Sequence, residues 1–325
     1  MSRIARYKES LNRFIKEKSE ILNINKKENE TEEIKRIYEK IKKSDKILSI
    51  ILLTIMNSQN KKKKAAMQGY YAAASIEYII ILIKIIDDKK IEEGEKYKII
   101  MLLLNEISES IKKNVESISN YISKEETYEM MIEIIEKKNK LLNYNNILNK
   151  YKFKIEEEEI DNKIIKWYFK NNEEAKKRIK KIKKIKKESM KEYIKKKYIS
   201  VSELAFTIGW ILGSGKKEKK ENIKSISKNF GMLYKLTKDF QNIERDYYNS
   251  EEITNNYIVN YGIQNAHEEF MKNKHIFIEK AMRMNIYTGT IQEIVNKLEN
   301  IIDEIIDETS PDIISNLSNM TNEEI

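Results

Sequence analysis

Proline and glycine, the residues that most often interrupt helices, are scarce in this sequence. The 325-residue chain has one proline, Pro311, and 8 glycines. Proline breaks helices, and strand-rich domains need glycine and proline at closely spaced turns. The sequence therefore predicts an all-α protein whose loops are marked by Asn and Ser. No linker rich in proline, glycine or serine divides it, so we expect a single domain over residues 1–325.

The charge and cysteine content narrow the function classes. Lys and Arg total 62 against 52 Asp and Glu, a net charge of +10. Such a charge attracts anionic ligands of any kind. The absence of cysteine excludes disulfides and thiolate catalysis. The first residues, MSRIARYKESLNRFIKEK, lack the apolar core of a signal peptide, so we expect a cytoplasmic protein.

One apolar segment, Ala65 to Asp88, is long enough to resemble a membrane span. It contains Gln68, Glu77 and Lys84 at depths where hydrocarbon would surround them. Such residues are rare in membrane spans, whereas a helix that is apolar on most sides is typical of a buried core. We predict a core helix.

Lysines dominate the segment from Lys176 to Lys197, KKRIKKIKKIKKESMKEYIKKK. Isoleucines at helical spacing predict a basic amphipathic helix. A solvated surface face and contact with an anionic membrane surface are both compatible with this pattern. A nucleic-acid partner is not expected, because no aromatic side chains are interleaved for base stacking. The tail after residue 310 is expected to be flexible.

Acidic residues follow the apolar segment directly: Asp87, Asp88 and then Glu92. Residues four apart on a helix share a face, so Asp88 and Glu92 have a spacing at which two carboxylates can share a hard cation. Acids at a helix C-terminus also oppose the helix dipole, which favours a nearby cation. A metal site is one interpretation, and an exposed, solvated DDKK loop is the other.

A second polar pattern lies within SKNFGMLYKLTKDFQNIERDYY, residues 227–248. Lys238, Asn242 and Asp246 stand at i, i+4 and i+8, and Asp239 adds an oxygen donor beside them. Apolar residues that precede them give the same helix a core face. The pattern predicts a polar ridge along a half-buried helix.

Three stretches with distinctive spacings follow one another along the chain. Glu77 stands ten residues before Asp87 in EYIIILIKIIDDKKIE. In KYISVSELAFTIG, Ala205 and Gly209 come eight and twelve residues after Lys197. The third stretch, GMLYKLTKDFQN, combines glycine, an aromatic residue and polar ligands at Gly231, Tyr234, Asp239 and Asn242.

In this order the stretches resemble the trans-prenyltransferases, the all-trans polyprenyl diphosphate synthases of the isoprenoid synthase fold. They are similar to that family's DDxxD motif with its preceding glutamate, its KTxxLFxxAxxxG pattern and its second motif, GxxFQxxDDxxD/N. The resemblance extends over about residues 60 to 305. It implies an all-α helical bundle around a central cavity, with two acidic helices facing each other across its mouth.

The chain departs from the family pattern at several functional positions. Ile91 replaces the third acid of the first motif, and Lys238 replaces the first aspartate of the second. Lys235 stands for the glutamine of the FQ pair, and Tyr198 for the threonine after the lysine. The family's diphosphate-binding arginines have no counterpart beyond the lysines of Lys61–Lys64.

The resemblance implies a magnesium-assisted reaction in which an allylic diphosphate condenses with isopentenyl diphosphate. The metal ligands it implies are Asp87, Asp88, Glu92, Asp239, Asn242 and Asp246. The substrate-binding residues it implies are Lys197, Lys235, Lys238, Tyr198, Leu82 and Ile83, with the lysines contacting diphosphate and the last two lining a channel for the growing chain. A homodimer is also implied.

Two other functions remain open from the sequence. The loss of arginines and motif acids favours a pseudoenzyme of the same fold, which would act as a regulatory or binding subunit. A basic helical protein that binds membrane or nucleic acid through Lys176–Lys197 is the third possibility.

Overall fold

The computed structural model describes residues 2–22, 31–59, 66–88, 90–117, 123–148, 155–157, 183–248 and 255–319. Apart from one two-stranded ribbon, its regular elements are helices, so the all-α prediction is confirmed. The helices are α1 (Arg3–Lys18), α2 (Glu32–Lys43), α3 (Ile47–Gln59), α4 (Ala66–Asp87), α5 (Glu93–Glu116), α6 (Lys124–Leu148), α7 (Lys187–Ile194), α8 (Ser200–Leu212), α9 (Lys220–Gln241), α10 (Ile243–Tyr248), α11 (Tyr257–Tyr261), α12 (Ile263–Arg283), α13 (Gly289–Glu308) and α14 (Pro311–Asn319). A π-helical segment covers Lys195–Ile199, and a 3₁₀ turn covers Lys217–Lys219.

The chain forms two compact units. The first comprises Met1–Lys150, Ile199–Gly231 and Ile276–Asn296. The second comprises Tyr151–Tyr198, Met232–His275 and Lys297–Ile325. Both units are discontinuous in sequence, which explains why no linker composition marks a boundary.

Helices α3 and α4 are the core of the first unit. Both are apolar around most of their circumference, the pattern of helices that are covered on all sides. Helix α4 packs against α3 and α5, and α8 packs against α3, α4 and α6. Thr288 caps α13, since its hydroxyl oxygen accepts a hydrogen bond from the Ile291 amide at 3.4 Å.

Helix α4 is long and apolar enough to cross a membrane, and no other helix among the described residues passes that test. Within Met67–Asp87, 83% of the most apolar 18-residue window is buried in the protein. A covered core helix has this property, as predicted.

Residues 32–59 form two helices, α2 and α3, with a short turn between them. Lys46, between them, adopts a left-handed backbone with φ of 59°. Asp45 Oδ1 accepts a hydrogen bond from the Ile47 amide at 3.1 Å, which satisfies a donor at the start of α3. The apolar periodicity continues through this turn, so periodicity alone did not reveal it.

A buried lysine joins α6 to α8 in the first unit. The Lys137 side chain is 8% exposed, and its ammonium donates a hydrogen bond to Ser200 Oγ. Burial, together with the charge of Lys140, lowers the pKa of Lys137 to about 7, and Glu203 acts in the opposite direction. At neutral pH the folded protein therefore holds this proton weakly.

We expect Lys137→Met to stabilise the protein at pH 7. The unfolded chain keeps the Lys137 proton up to about pH 10, whereas the folded chain releases it near pH 7, so stability should rise with pH between these values. At pH 7 the substitution should raise the free energy of unfolding by roughly 3–5 kcal/mol. It should also reduce the increase in this free energy with pH. Urea unfolding at pH 6, 7.5 and 9 measures the free energy of unfolding and its dependence on pH. The control is Lys138→Met, on the same helix. The prediction would be contradicted if this pH dependence were equal in wild type, Lys137→Met and Lys138→Met.

In the second unit, β1 (Ile155–Glu157) and β2 (Lys183–Ile185) pair antiparallel, with Ile155 opposite Ile185. Asn260 Oδ1 accepts from the Ile185 amide at 2.8 Å, and the Tyr261 hydroxyl donates to the Ile185 carbonyl at 2.6 Å. These contacts from α11 hold Ile185 in an extended conformation.

The basic helix predicted over residues 176–197 is thus not continuous. Residues 183–185 are a strand, and helix α7 begins at Lys187. Residues 176–182 lie outside the described residues, as do the lysines of 61–64.

A helix also occupies the start of the segment that was expected to be a flexible tail. Helix α14 begins at Pro311, the position where proline is best tolerated in a helix. Ile313 and Leu317 are each 1% exposed. Their burial holds the helix against α11 in the second unit. Residues 320–325 lie outside the described residues.

Candidate functional site

The predicted first acidic pair is at the C-terminus of α4 in the first unit. Asp87 is the last residue of the helix and is exposed, and Asp88 follows it, partly buried. Asp88 Oδ2 accepts from Lys40 Nζ at 2.9 Å, and its Oδ1 accepts from the Lys90 amide at 3.1 Å. The Asp88 carboxylate therefore already has a cationic neighbour.

Opposing effects set the pKa of Asp88. Partial burial raises it, but the hydrogen bonds from Lys40 and the Lys90 amide, with the charges of Lys40 and Lys96, bring it below its usual value. Asp88 is thus an anion near neutral pH, as a metal ligand must be.

Glu92 does not share a helical face with Asp88. Helix α4 ends at Asp87, and Glu92 is the N-cap residue of α5, without a side-chain capping bond. The i, i+4 spacing would place Asp88 and Glu92 on one face only if a single helix continued from Asp88 to Glu92. Ile91, at the position of the family's third acid, is 4% exposed and belongs to the apolar core.

Glu77 lies at the centre of α4 and is fully buried. Its carboxylate accepts hydrogen bonds from Ser44 Oγ at 2.8 Å and from Ser49 Oγ at 2.7 Å. Burial raises the pKa of Glu77, and the charge of Lys46 with the two serine hydroxyls acts against this. Lys46, also buried, donates to the Ile41 carbonyl. Glu77 thus ties the turn between α2 and α3 to α4.

Leu82 and Ile83, the predicted channel residues, are 0% and 9% exposed. Both are packed in the core of the first unit, on the helix that also carries Glu77. Lys84, between them and Asp87, is exposed.

The second predicted ridge is on the C-terminal half of α9, in the second unit. Lys235 is fully buried there, and its ammonium donates to Asp239 Oδ1 and, at 2.9 Å, to the Asn255 carbonyl. Asp239 Oδ2 accepts from the Tyr257 amide at 2.8 Å. Burial raises the pKa of Asp239, while Lys235 and the Tyr257 amide act in the opposite direction.

The donor set around Asp239 does not fit a divalent metal ion. Two unit charges 4 Å apart interact by about 4 kcal/mol at an effective dielectric of 20, so an ammonium opposes a nearby divalent ion by roughly twice that. Within the part of the chain that the structure describes, no three acidic or histidine side chains are grouped so that they could hold a metal.

The other members of the ridge have separate partners. Asn242 Nδ2 donates to the Lys238 carbonyl at 2.6 Å, and Asp246 Oδ2 accepts from Asn256 Nδ2 at 3.0 Å. Lys238 Nζ donates to Gln241 Oε1 at 2.8 Å and lies 5.5 Å from the centre of the Tyr234 ring. Asp239 and Asp246 are linked through Asn256, which also donates to the Asp239 carbonyl.

Two lysines and two tyrosines form a cluster beside Asp239, which we call the lysine–tyrosine cluster: Tyr193, Lys197, Tyr198 and Lys235. Lys197 Nζ donates to the Tyr193 hydroxyl at 2.8 Å and lies 5.2 Å and 5.4 Å from the Tyr193 and Tyr198 ring centres. Lys235 Nζ lies 5.9 Å and 5.2 Å from the same two rings. Cation–π contacts of this kind hold ammonium groups in a desolvated setting.

Sequence reasoning identified Lys197, Lys235 and Tyr198 but missed Tyr193, Asn255 and Asn256. The Asn255 amide donates to the Tyr193 hydroxyl at 2.7 Å. Asn256 caps α11, accepting from the Ile258 amide at 2.9 Å. Asparagine before an apolar helix is a capping signal that could have indicated Asn256, whereas the contact between Tyr193 and Asn255 leaves no local signal.

No family model and no curated protein sequence matches the chain. Its structure is similar to solved ones. A geranyltranstransferase from Thermotoga maritima has a TM-score of 0.61 at 14% identity, covering 93% of this chain and 100% of that one. A FPP/GFPP synthase from Zymomonas mobilis has a TM-score of 0.59 at 8% identity, covering 90% and 99%.

A third similar structure is a geranyltransferase from Helicobacter pylori, complexed with magnesium and isoprenyl diphosphate. Its TM-score is 0.60 at 12% identity, covering 94% of this chain and 99% of that one. Because the similarity extends over whole chains, the all-α isoprenoid synthase fold that the sequence resemblance implied is confirmed. The chain has the all-α isoprenoid synthase fold, the fold of these geranyltransferases and farnesyl diphosphate synthases.

Proposed function

We propose that the protein binds an isoprenyl diphosphate through its lysine–tyrosine cluster and acts as a divergent prenyltransferase. The observation that carries the proposal is the pair of ammonium groups, Lys197 and Lys235, held against the same two aromatic rings. These contacts bring the two ammonium groups close together in the second unit. Diphosphate is an anion that lysine binds as a point charge.

In the first unit, Asp87 and Asp88 are the candidate ligands of a magnesium ion, which would have to compete with the Lys40 ammonium for Asp88. Magnesium is often held by one or two carboxylates, with waters and phosphate oxygens as its other ligands. A magnesium ion there would supply positive charge to a phosphate ligand. Lys40, hydrogen-bonded to Asp88, keeps that carboxylate ionised and oriented.

The proposed reaction is carbon–carbon bond formation. The allylic carbon–oxygen bond breaks and its electron pair leaves with diphosphate. The double bond of isopentenyl diphosphate supplies the electrons of the new bond, and a proton is lost from the condensed product. Lys197, which is less buried than Lys235, would stabilise the negative charge that develops on the leaving group.

A non-catalytic role in binding is the second candidate. The buried Ile91 and the Lys235–Asp239 ion pair support it, because both replace expected metal-ligating chemistry with internal contacts. Such a protein would bind the same diphosphates without condensing them.

A transfer assay with labelled isopentenyl diphosphate, geranyl diphosphate and Mg²⁺ tests the proposal. We expect wild-type turnover, and a roughly 10- to 1000-fold loss in Lys197→Met, as for removal of other charge-stabilising groups. Lys196→Met is the matched control, since Lys196 is paired with Glu192 at the surface.

Two results would contradict different parts of the proposal. Tight binding of a diphosphate analogue without turnover would show that the protein is not a catalyst and would favour the non-catalytic binding role. Equal activity of the Lys197 and Lys196 variants would exclude the lysine–tyrosine cluster as the diphosphate site.

A further inference from the structure

The Lys235 ammonium has surroundings that would suit a bound cation. It is 0% exposed and contacts the Asp239 carboxylate and, at 2.9 Å, the Asn255 carbonyl. The faces of Tyr198 and Tyr193 lie beside it, 5.2 Å and 5.9 Å from their ring centres. A carboxylate oxygen and a backbone carbonyl oxygen are also ligands that divalent cations accept in proteins.

Asp239 is oriented by contacts that do not involve Lys235. Its second carboxylate oxygen accepts from the Tyr257 amide at 2.8 Å, and its backbone carbonyl accepts from Asn256 at 2.9 Å. Asn256 is in turn fixed as the cap of α11. The carboxylate should therefore keep its position when Lys235 is shortened to a neutral side chain.

We infer that Lys235 is a built-in cation that occupies a latent metal site formed by Asp239 and the Asn255 carbonyl, and that it closes this site to divalent ions. The inference concerns metal binding alone and does not depend on which diphosphate the protein binds. It predicts that removing the ammonium creates a site which the wild-type protein lacks.

A purely structural role for the ion pair makes a different prediction. Removing Lys235 would leave a buried carboxylate without its counter-ion and destabilise the fold. Only the latent-site account predicts that a divalent ion then restores the lost stability, and that Asp239 is needed for the restoration.

Manganese binding, counted by electron paramagnetic resonance, tests the inference with wild type, Lys235→Met and the double variant Lys235→Met/Asp239→Asn. We expect Lys235→Met to bind one more Mn²⁺ per chain than wild type, and the double variant to lose it. Thermal unfolding with and without Mn²⁺ should show a rise in Tm for Lys235→Met alone. Equal Mn²⁺ counts and no rise in Tm for Lys235→Met would overturn the inference.

If Lys235→Met does not fold, a second variant tests the inference. Asp239→Asn alone, in the presence of Lys235, should bind as many Mn²⁺ ions as wild type and with the same affinity. A lower count or weaker affinity would show that Asp239 binds metal beside Lys235, which overturns the inference. Any Mn²⁺ held by Asp87 and Asp88 is common to all these proteins and cancels in the comparison. Failure of the proposed function would appear separately, as no binding of an allylic diphosphate analogue to wild type.

Discussion

Glu77→Ala should destabilise the first unit by roughly 3–5 kcal/mol, the range for removing one partner from a buried charged network. The Glu77 carboxylate is fully buried and accepts hydrogen bonds from Ser44 and Ser49. Its removal leaves both hydroxyls without this acceptor and leaves the buried Lys46 without the opposing charge. Urea unfolding followed by circular dichroism measures the change.

Two further variants separate charge from packing. Glu77→Gln keeps a hydrogen-bond acceptor but loses the charge, so its effect should be intermediate. Glu77→Leu combined with Lys46→Met replaces both buried charges with apolar groups and should be less harmful than the sum of the single changes. Glu93→Ala, at an exposed position of α5, is the control. A loss of less than about 1 kcal/mol in the free energy of unfolding for Glu77→Ala would contradict this role of Glu77, because an average substitution already destabilises a protein by about 1 kcal/mol.

Gly209→Leu should have a comparably large effect, through steric overlap instead of charge. A Cβ added at Gly209 on α8 would lie 2.6 Å from the Leu52 carbonyl oxygen and 3.1 Å from the Ile55 Cβ, both on α3. The backbone atoms of α3 cannot rotate away, so the helices must separate. Overpacking of this kind costs roughly 1–3 kcal/mol for small additions, and we expect more for a leucine.

The control for this prediction is another helical glycine. A Cβ added at Gly94, in the first turn of α5, meets no atom within 4 Å. Gly94→Ala should therefore be neutral or slightly stabilising, through the lower entropy of the unfolded chain. Thermal unfolding of Gly209→Ala, Gly209→Leu and Gly94→Ala should give graded losses for the first two only. Similar Tm values for all three would show that α8 and α3 do not pack this closely.

The sequence predicted the helices well because few residues in it oppose them. The chain lacks proline before residue 311, and α4 (Ala66–Asp87) lies close to the core helix predicted over Ala65 to Asp88. The secondary-structure predictions were wrong where tertiary contacts override the local sequence pattern. Asn260 and Tyr261 hold Ile185 in a strand inside the predicted basic helix.

The candidate site was predictable as a set of residues but not as a set of contacts. Lys235 and Asp239 stand at i and i+4, a spacing that permits an ion pair on any helix. The sequence could not show that this pair is buried, because its burial depends on Tyr193 and Asn255, which are distant in the chain. In the structure, Asp239 accepts from Lys235, Asn242 donates to the Lys238 carbonyl, and Asp246 accepts from Asn256.

The fold alone does not establish activity, because one fold supports many functions and the chemistry depends on the site. At 8–14% identity to the similar structures, the site residues of this chain must be judged by their own contacts. The proposed lysine-based recognition of diphosphate therefore has to be tested on the contacts of the lysine–tyrosine cluster.

Calorimetric titration with a non-hydrolysable allylic diphosphate analogue, in EDTA and in Mg²⁺, tests the central claim most directly. We predict binding in EDTA through the lysine–tyrosine cluster, and a gain in affinity in Mg²⁺ of roughly tenfold, or about 1.4 kcal/mol. Lys197→Met should weaken binding in both conditions, whereas Lys196→Met should leave it unchanged. Binding that requires Mg²⁺ absolutely, or no binding in either condition, would contradict the account.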